Sequence, residues 1–313
     1  MTAAIPPQPA AATSAETGSI YDIGYRNYEG PRLGRTHAIR SLFAHTLRSS
    51  YGIGRGARAK IAPLTLGLLV CIPAVAIIAA QALLRQFEGG ERFEEALPIR
   101  YETYAGTIGI LVILFCAAQA PDLFGRDQRH SLLSLYFSRA LRRTDYALAR
   151  IGGFVLAVFL LVMLPQVLLF LGQVLLATDV LQGAMDDLPE MAAVTAQAAL
   201  TGAMLGGLSM AIAAFTPRRA YAIAGIIALF VIPNIVAGIV VALGSRDIGR
   251  WLVLLSPNSI LDGTNAFLFD MPLGSAFEGV NLRIPAYAYF AAAAIWIAGS
   301  IAIAVRRFQR ITA

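Results

Sequence analysis

Ionisable residues are scarce in this sequence, and the motifs that would give it a chemistry of its own are missing. Only 14% of its 313 residues are charged, whereas soluble domains average about a quarter. A P-loop needs a lysine before Ser or Thr, but the single lysine, Lys60, precedes Ile61. We therefore expect no ATP hydrolysis by this chain itself. HExxH and GxSxG are absent too, which disfavours an intramembrane enzyme.

Cysteine and histidine are also rare. Cys71 and Cys116 both lie in apolar stretches and the three histidines form no cluster with metal-ligand spacing, so we predict no disulfide, no bound metal and no cofactor on this chain. The interiors of the apolar stretches contain no Asp, Glu, Lys, Arg or His, although proton relays and ion-coupled pumps usually need such a residue. Arg150, Glu190 and Arg219 lie at stretch boundaries, where snorkelling towards water explains them.

Long apolar runs are what the sequence has in abundance. Hydrophobic residues make up 57% of the chain, and a soluble bundle of this length has too little interior to bury them. About 20 apolar residues span the hydrocarbon core of a bilayer as a helix. We therefore predict an all-α integral membrane protein with six transmembrane helices, at about residues 64–84, 103–120, 150–177, 191–215, 219–244 and 285–305.

Basic residues are distributed unevenly between these runs. Of the 25 Lys and Arg residues, 19 fall in 1–63, 121–150, 218–219 and the tail from 306, which together hold 6 of the 19 acidic residues. Because Lys and Arg accumulate on the cytoplasmic side, the sequence predicts that both termini are cytoplasmic. The net charge of +6 is then a topology signal that also suits anionic inner-leaflet lipid, and no nucleic-acid partner is predicted.

Three regions follow from this pattern. Residues 1–19 are rich in Pro, Ala and Thr without an apolar signal-peptide core, and we interpret them as a disordered cytoplasmic lead. Residues 20–63 comprise an irregular strap and an amphipathic helix in the membrane interface. Residues 64–313 form the membrane domain. The apolar face of the interfacial helix consists of Ile39, Leu42, Phe43, Leu47 and Tyr51.

The segments predicted on the outer side differ in character. Residues 85–102 and 178–190 carry acidic clusters, for which solvated loops are the main interpretation and a cation site the alternative. Within residues 245–284, "IGRWLVLLSPNSILDG" is apolar but interrupted by proline and too short to span. We interpret it as a re-entrant or interfacial segment before the last span.

The cytoplasmic segment "FGRDQRHSLLSLYFSRALRRTDY", residues 124–146, gathers five arginines and a histidine. We expect the chain to leave the second span, turn at Gly125 and form a short helix with a broad apolar surface. Thr144 or Asp145 is a candidate cap for the third span. This order indicates a docking surface for another protein. The alternative, charge that only sets topology, stays open.

Polar residues inside the spans are neutral. Their ordinary role is hydrogen bonding between helices, and the alternative is a substrate path. The candidates for that path are Gln119, Gln166, Gln173, Gln197 and Asn234. Gly202 and Gly206 form a GxxxG pair suited to close packing inside the bundle or to a dimer face.

Taken together, these segments resemble a known family. The run "PDLFGRDQRHSLLSLYFSRALRRTDYALAR" and the beginning "YDIGYRNYEGPRLGR…AIRSLFAHTLRSSYGIGRGARAK" are similar to ABC-2 type permeases of an actinobacterial-like branch, the membrane subunits of bacterial ABC exporters. The resemblance implies the type V exporter arrangement in the bacterial cell membrane. The amphipathic helix would be the connecting helix, and the partners would be a cytoplasmic ATPase that binds ATP and Mg²⁺ and a second permease, identical or paralogous.

The resemblance also implies a function and a set of coupling residues. The pair of permeases would export a hydrophobic or amphipathic substrate such as a drug, antibiotic or lipid. The alternative is a membrane anchor or sensor that recruits a cytoplasmic protein without transport. The segment after the second span would dock in a groove of the ATPase. Carried onto this sequence, its residues are Asp122, Arg126, Asp127, Arg129, His130, Ser131, Arg142, Arg143 and Asp145.

Overall fold

Helices connected by short turns make up the computed structural model, which describes residues 30, 33–86, 101–138, 141–177, 179–243, 246–270 and 284–310. The chain separates into units 1–33 and 34–313, and only the second is described below. Within these ranges no strand occurs. The helices are α1 (Arg35–Ser50), α2 (Ala57–Leu84), α3 (Tyr101–Arg129), α4 (Leu133–Phe137), α5 (Arg143–Leu176), α6 (Val180–Phe215, with a π-helical turn at Gly202–Gly206), α7 (Arg219–Ala242), α8 (Arg246–Leu255), α9 (Pro257–Leu268) and α10 (Ala286–Gln309).

Six of the described helices, α2, α3, α5, α6, α7 and α10, are long and apolar enough to cross a membrane. The prediction of a helical, multi-pass membrane protein is thereby confirmed. Three of these helices begin earlier than predicted, at Ala57, Arg143 and Val180. At 1.5 Å per residue, the 34 residues of α5 extend about 50 Å, well beyond a hydrocarbon core of about 30 Å. The helix is therefore longer than such a core is thick.

The predicted solvated loop at 178–190 is wrong for most of its length, because α6 begins at Val180. The Asp179 carboxylate accepts hydrogen bonds from the backbone N–H groups of Leu181 and Gln182, at 3.0 and 3.3 Å. An acidic cap satisfies free N–H groups and complements the helix dipole, so these residues initiate a helix. The acidic cluster at 85–102 lies almost entirely outside the described residues.

The predicted turn at Gly125 is also wrong, since α3 continues without interruption to Arg129. Gly125 instead permits a close contact with the turn between α6 and α7. A Cβ at this position would lie 3.3 Å from the carbonyl oxygen of Pro217. The glycine is needed for packing between elements rather than for reversing the chain.

The GxxxG pair packs inside the bundle. A Cβ on Gly202 would lie 3.0 Å from the backbone of Phe159, and one on Gly206 would lie 3.2 Å from the Cα of Val155. Both neighbours belong to α5, so small residues at these positions let α6 approach α5 closely. Of the two roles that the sequence left open, contact within the bundle is the observed one.

The predicted break in the segment before the last span occurs at Ser256, between α8 and α9. The Ser256 side chain accepts a hydrogen bond from Ser259 N–H, and Pro257 occupies the first turn of α9, where its missing N–H costs nothing. With 10 and 12 residues, the two helices extend about 15 and 18 Å. Neither is long enough to cross a bilayer.

The described parts of the basic segments meet at one end of the bundle, which we call the basic end. The Gln128 side chain donates a hydrogen bond to the carbonyl oxygen of Ala214, at 3.0 Å. Arg143 donates to the carbonyl oxygen of Gln309, at 2.9 Å, and Arg55 lies 3.7 Å from Asp122. The ends of α3, α6 and α10 and the beginnings of α2, α5 and α7 therefore lie together, as the predicted alternation of the spans requires.

Candidate functional site

Helix α1 lies alongside the beginning of α5, and the two helices run in the same direction. Contacts follow in order along the two helices. Arg35 donates two hydrogen bonds to the Asp145 carboxylate, at 2.7 and 2.6 Å, and the Tyr51 hydroxyl donates to the carbonyl oxygen of Ala157, at 2.7 Å. Between them, α1 passes so close to Gly153 that a Cβ there would lie 2.8 Å from Phe43 O.

The predicted apolar face of α1 is only partly what the structure uses. Leu42 is buried, and Ile39, Phe43, Leu47 and Tyr51 are half-buried. The same side of the helix also buries hydroxyl groups, which bond back to its own backbone, as Thr46 does to Leu42 O at 2.8 Å. This face packs on the protein at α5.

A buried ion pair lies where α1, α3 and α5 meet. Asp127 and Arg150 are 2% and 1% exposed, and an Arg150 Nη donates to the Asp127 carboxylate. The Tyr146 hydroxyl donates to the same carboxylate oxygen at 2.7 Å, while the other Arg150 Nη lies 3.5 Å from the hydroxyl of Thr46. Two charges out of water are tolerable only when they are paired and hydrogen-bonded in this way.

Helical periodicity brings these groups together. On α3 the inward stripe Cys116, Ala120, Leu123 and Phe124 continues, at the same spacing, to Asp127. Because α3 does not turn at Gly125, Asp127 stays on the buried side. Arg150 was predicted to snorkel towards water, but its guanidinium points into the protein, since Asp127 gives it a closer partner than solvent.

Aromatic rings enclose the ion pair and attach the short helix α4. The Arg150 guanidinium carbon lies 5.9 and 5.6 Å from the ring centres of Tyr136 and Tyr146, within reach of a cation–π interaction. Phe137 packs edge-on against Tyr146 at 5.9 Å, and Phe308 of α10 contacts Tyr146 at 5.3 Å. The loop between α3 and α5 is therefore connected through side chains to α1, α3, α5 and α10.

The nine predicted coupling residues divide by exposure. Exposed are Arg129, His130, Ser131 and Arg142; half-buried are Asp122, Arg126 and Arg143; buried are Asp127 and Asp145. Asp127 and Asp145 are thus internal partners of Arg150 and Arg35 and are not available to a docking protein. Asp145 caps α5, as predicted, by accepting from Arg142 N–H at 3.1 Å.

The exposed part of this loop forms a surface that we call the loop surface: Arg129, His130, Ser131, Leu135 and Arg142. Leu135 is 64% exposed although its neighbours on α4, Leu133 and Tyr136, pack inward. Ser131 has a φ of 52°, in the left-handed region that few non-glycine residues adopt, and this residue turns the chain between α3 and α4. The loop surface therefore combines an outward leucine with cationic side chains.

The predicted path residues do not lie together. Gln166 Nε2 donates to Gln197 Oε1 at 3.3 Å, and both side chains are buried, as expected for hydrogen bonding between helices. Gln119 is buried and Gln173 half-buried, and neither lines a described cleft. Asn234 is the exception, because it faces an open cleft.

This polar cleft has a volume of about 270 Å³ and lies between α3, α6, α7 and α9. Its polar lining is Thr201, Asn234, Asn258, Asp262 and Asn265. The Asn234 carboxamide oxygen accepts from the hydroxyl of Ser259 at 2.9 Å, which orients it. Asp262 escaped the sequence analysis because its segment was assigned to an outer loop, and burial raises its pKa to about 6.

Comparison with known proteins adds no identification. No protein-family model matches the chain, and no curated protein is significantly similar to it.

Proposed function

We propose that this chain is the membrane-spanning permease subunit of a bacterial ABC exporter. The basic end faces the cytoplasm and both termini lie inside. The observation that carries the proposal is the connection of an exposed cationic loop, through the Asp127–Arg150 pair, to α1 and α5. A protein that docked on this loop would move a spanning helix and the helix packed beside it. Energy must come from such a partner, because Lys60 is not part of a P-loop.

In this proposal, transport results from a change between two arrangements of the helices. Closure of the partner ATPase pair on ATP pushes the loop surface. Because Phe137 of α4 packs on Tyr146 of α5, and Tyr146 packs on Phe308 of α10, these helices shift as a group against α7. A path opens along the polar cleft or between two permeases, and the substrate leaves on the outer side. Only a differential affinity of the ATPase for the two arrangements is required.

The polar cleft supports an amphipathic substrate. Apolar residues such as Ile110, Val231 and Ile235 line it beside Asn234 and Asp262. An apolar wall with one carboxylate suits an apolar molecule that carries a positive charge. The proposed substrate is therefore hydrophobic or amphipathic, as expected from the sequence, and also positively charged.

Association with the ATPase tests the docking role. We expect the variant Arg129→Glu with Leu135→Asp to lose co-purification with the ATPase encoded by a neighbouring gene, and to lose stimulated ATP turnover in nanodiscs. Both residues are exposed, so the fold stays intact. The control is Arg218→Glu, an exposed arginine in the turn between α6 and α7.

Equal behaviour of the loop variant and the parent chain would contradict this role. If no ATPase associates with the parent chain, the second candidate, an anchor or sensor that recruits another cytoplasmic protein, takes precedence. That candidate uses the same loop surface but requires no nucleotide-dependent movement.

The cleft carboxylate is tested by direct binding. We expect Asp262→Asn to weaken binding of a cationic amphiphile, tetraphenylphosphonium, by roughly tenfold, since a charge-assisted contact contributes about 1.5–3 kcal/mol. Because the pKa of Asp262 is raised to about 6, the carboxylate is charged above that pH. Affinity of the parent chain should therefore fall as pH drops through about 6, and that of the variant should not.

The matched control for this binding test is Gln173→Met, which removes a half-buried polar group outside the cleft. Equal weakening by both substitutions, or none with Asp262→Asn, would place the substrate elsewhere. Neither result depends on the ATPase.

A further inference from the structure

A second cleft, separate from the loop surface and the polar cleft, opens at the basic end beside the first span. It has a volume of about 600 Å³. It lies between the end of α1, the turn from Tyr51 to Gly56, the beginning of α2 and the last two turns of α3. Gly52 and Gly54, with φ values of 72° and 82°, allow this tight turn. The charged and ionisable lining groups are His45, Arg48, Arg55, Asp122 and Arg126.

The cleft contains more positively charged groups than negatively charged groups to pair with them. Three guanidinium groups face one carboxylate, that of Asp122, which lies 3.7 Å from Arg55 and equally far from Arg219 outside the cleft. Neither Arg48 nor Arg126 forms an ion pair with any residue in the described ranges. Arg55 is largely buried, and its Nε has no hydrogen-bond partner there. A buried, unpaired N–H of this kind carries an energetic cost until an acceptor arrives.

The remaining polar features of the cleft also favour an anion. Gly56 precedes the first residue of α2 and provides no side-chain cap, and Gly56 and Ala59 line the cleft. The uncapped N–H groups of a first turn attract negative charge. Partial burial and the nearby Arg150 and Arg126 guanidinium groups lower the pKa of His45, which favours its neutral form. The lining then carries three positive charges and one negative.

We propose that this cleft binds the phosphodiester headgroup of an anionic phospholipid. Guanidinium groups match phosphate oxygens in charge and geometry. The lipid source is favoured over free phosphate because the cleft lies where two candidate spans meet the basic end, at the beginning of α2 and near the end of α3, which is the level at which lipid headgroups are expected. The site does not depend on the proposed transport function.

The test uses the delipidated full chain in detergent and three probes: phosphatidylglycerol, phosphatidylcholine and soluble glycerol phosphate. Binding is measured by native mass spectrometry. We expect phosphatidylglycerol to bind the parent chain, and the variant Arg55→Gln with Arg126→Gln to bind it at least about tenfold more weakly, since each arginine near an anionic lipid contributes substantially to affinity. Arg48→Gln, which changes an exposed side chain, should weaken binding to a smaller extent.

The control carries two equivalent substitutions outside the cleft, Arg58→Gln and Arg218→Gln, at exposed positions. We expect it to bind phosphatidylglycerol like the parent chain. The proposal is overturned if the control loses as much affinity as the cleft variants. It is also overturned if phosphatidylcholine binds as well as phosphatidylglycerol, or if glycerol phosphate competes at the lipid's own concentration. Should the double variant misfold, the folded Arg48→Gln variant decides the question.

Discussion

Replacing Arg150 by methionine should lower the free energy of unfolding by about 3–5 kcal/mol, because it leaves the Asp127 carboxylate buried without its partner. Asp127 is 2% exposed, so water cannot compensate. In a purified, detergent-solubilised chain this corresponds to a melting temperature lower by roughly 10 °C. Among substitutions at the basic end, we expect this one to have the largest effect on stability.

A double-mutant cycle separates the effect of losing the Asp127–Arg150 ion pair from the effect of shortening the arginine side chain. Adding Asp127→Leu to Arg150→Met removes the orphaned charge, and we expect most of the lost stability to return, because apolar groups of similar size can replace a buried pair. Recovery should be incomplete, since the Tyr146 hydroxyl loses its acceptor. Tyr146→Phe in the triple variant should restore part of the remainder.

The matched control for this cycle is Arg129→Gln, an exposed arginine near the end of the same helix as Asp127. It should leave the melting temperature nearly unchanged, as substitutions of exposed residues usually do. If Arg150→Met melts like the parent chain, the pair is not a structural connection and the proposed coupling route through it is wrong.

The features that depend on local composition could be predicted from the sequence. Run length predicted the six spanning helices, and the proline within the apolar segment, Pro257, predicted the break before the last one. The clustering of arginine predicted which segments share one end. Each of these follows from a property of a short window, namely hydropathy, a missing N–H or charge.

The parts that the sequence did not reveal depend on groups far apart in the chain. Asp127 was expected among the residues that dock on a partner, and only the unbroken course of α3 turns it towards Arg150. The position of α1 on α5 joins residues more than 100 positions apart. The inward stripe ending at Asp127 was a usable signal, but a turn assumed at Gly125 concealed it.

The contact of α1 with α5 yields the second large effect, through two adjacent glycines. A Cβ on Gly153 would lie 2.8 Å from both the backbone oxygen of Phe43 and the Cβ of Thr46, and neither atom can move without α1. We expect Gly153→Ala to cost about 1–3 kcal/mol, as overpacking does. A Cβ on Gly152 would meet only the Phe43 ring, at 3.3 Å, which can rotate slightly, so Gly152→Ala is the matched control.

Both substitutions gain the same intrinsic helix propensity, up to about 1 kcal/mol, so their difference isolates the contact with α1. Gly153→Ala should melt several degrees lower than Gly152→Ala, and displacement of α1 should also separate Thr46 from Arg150. Under the proposed function, Gly153→Ala would then retain the exposed loop surface and bind the ATPase, yet show reduced stimulated turnover. Equal melting and equal turnover of the two variants would mean that α1 is not held against α5. Loss of turnover with binding preserved would instead assign α1 a part in transmitting movement from the loop to the spans.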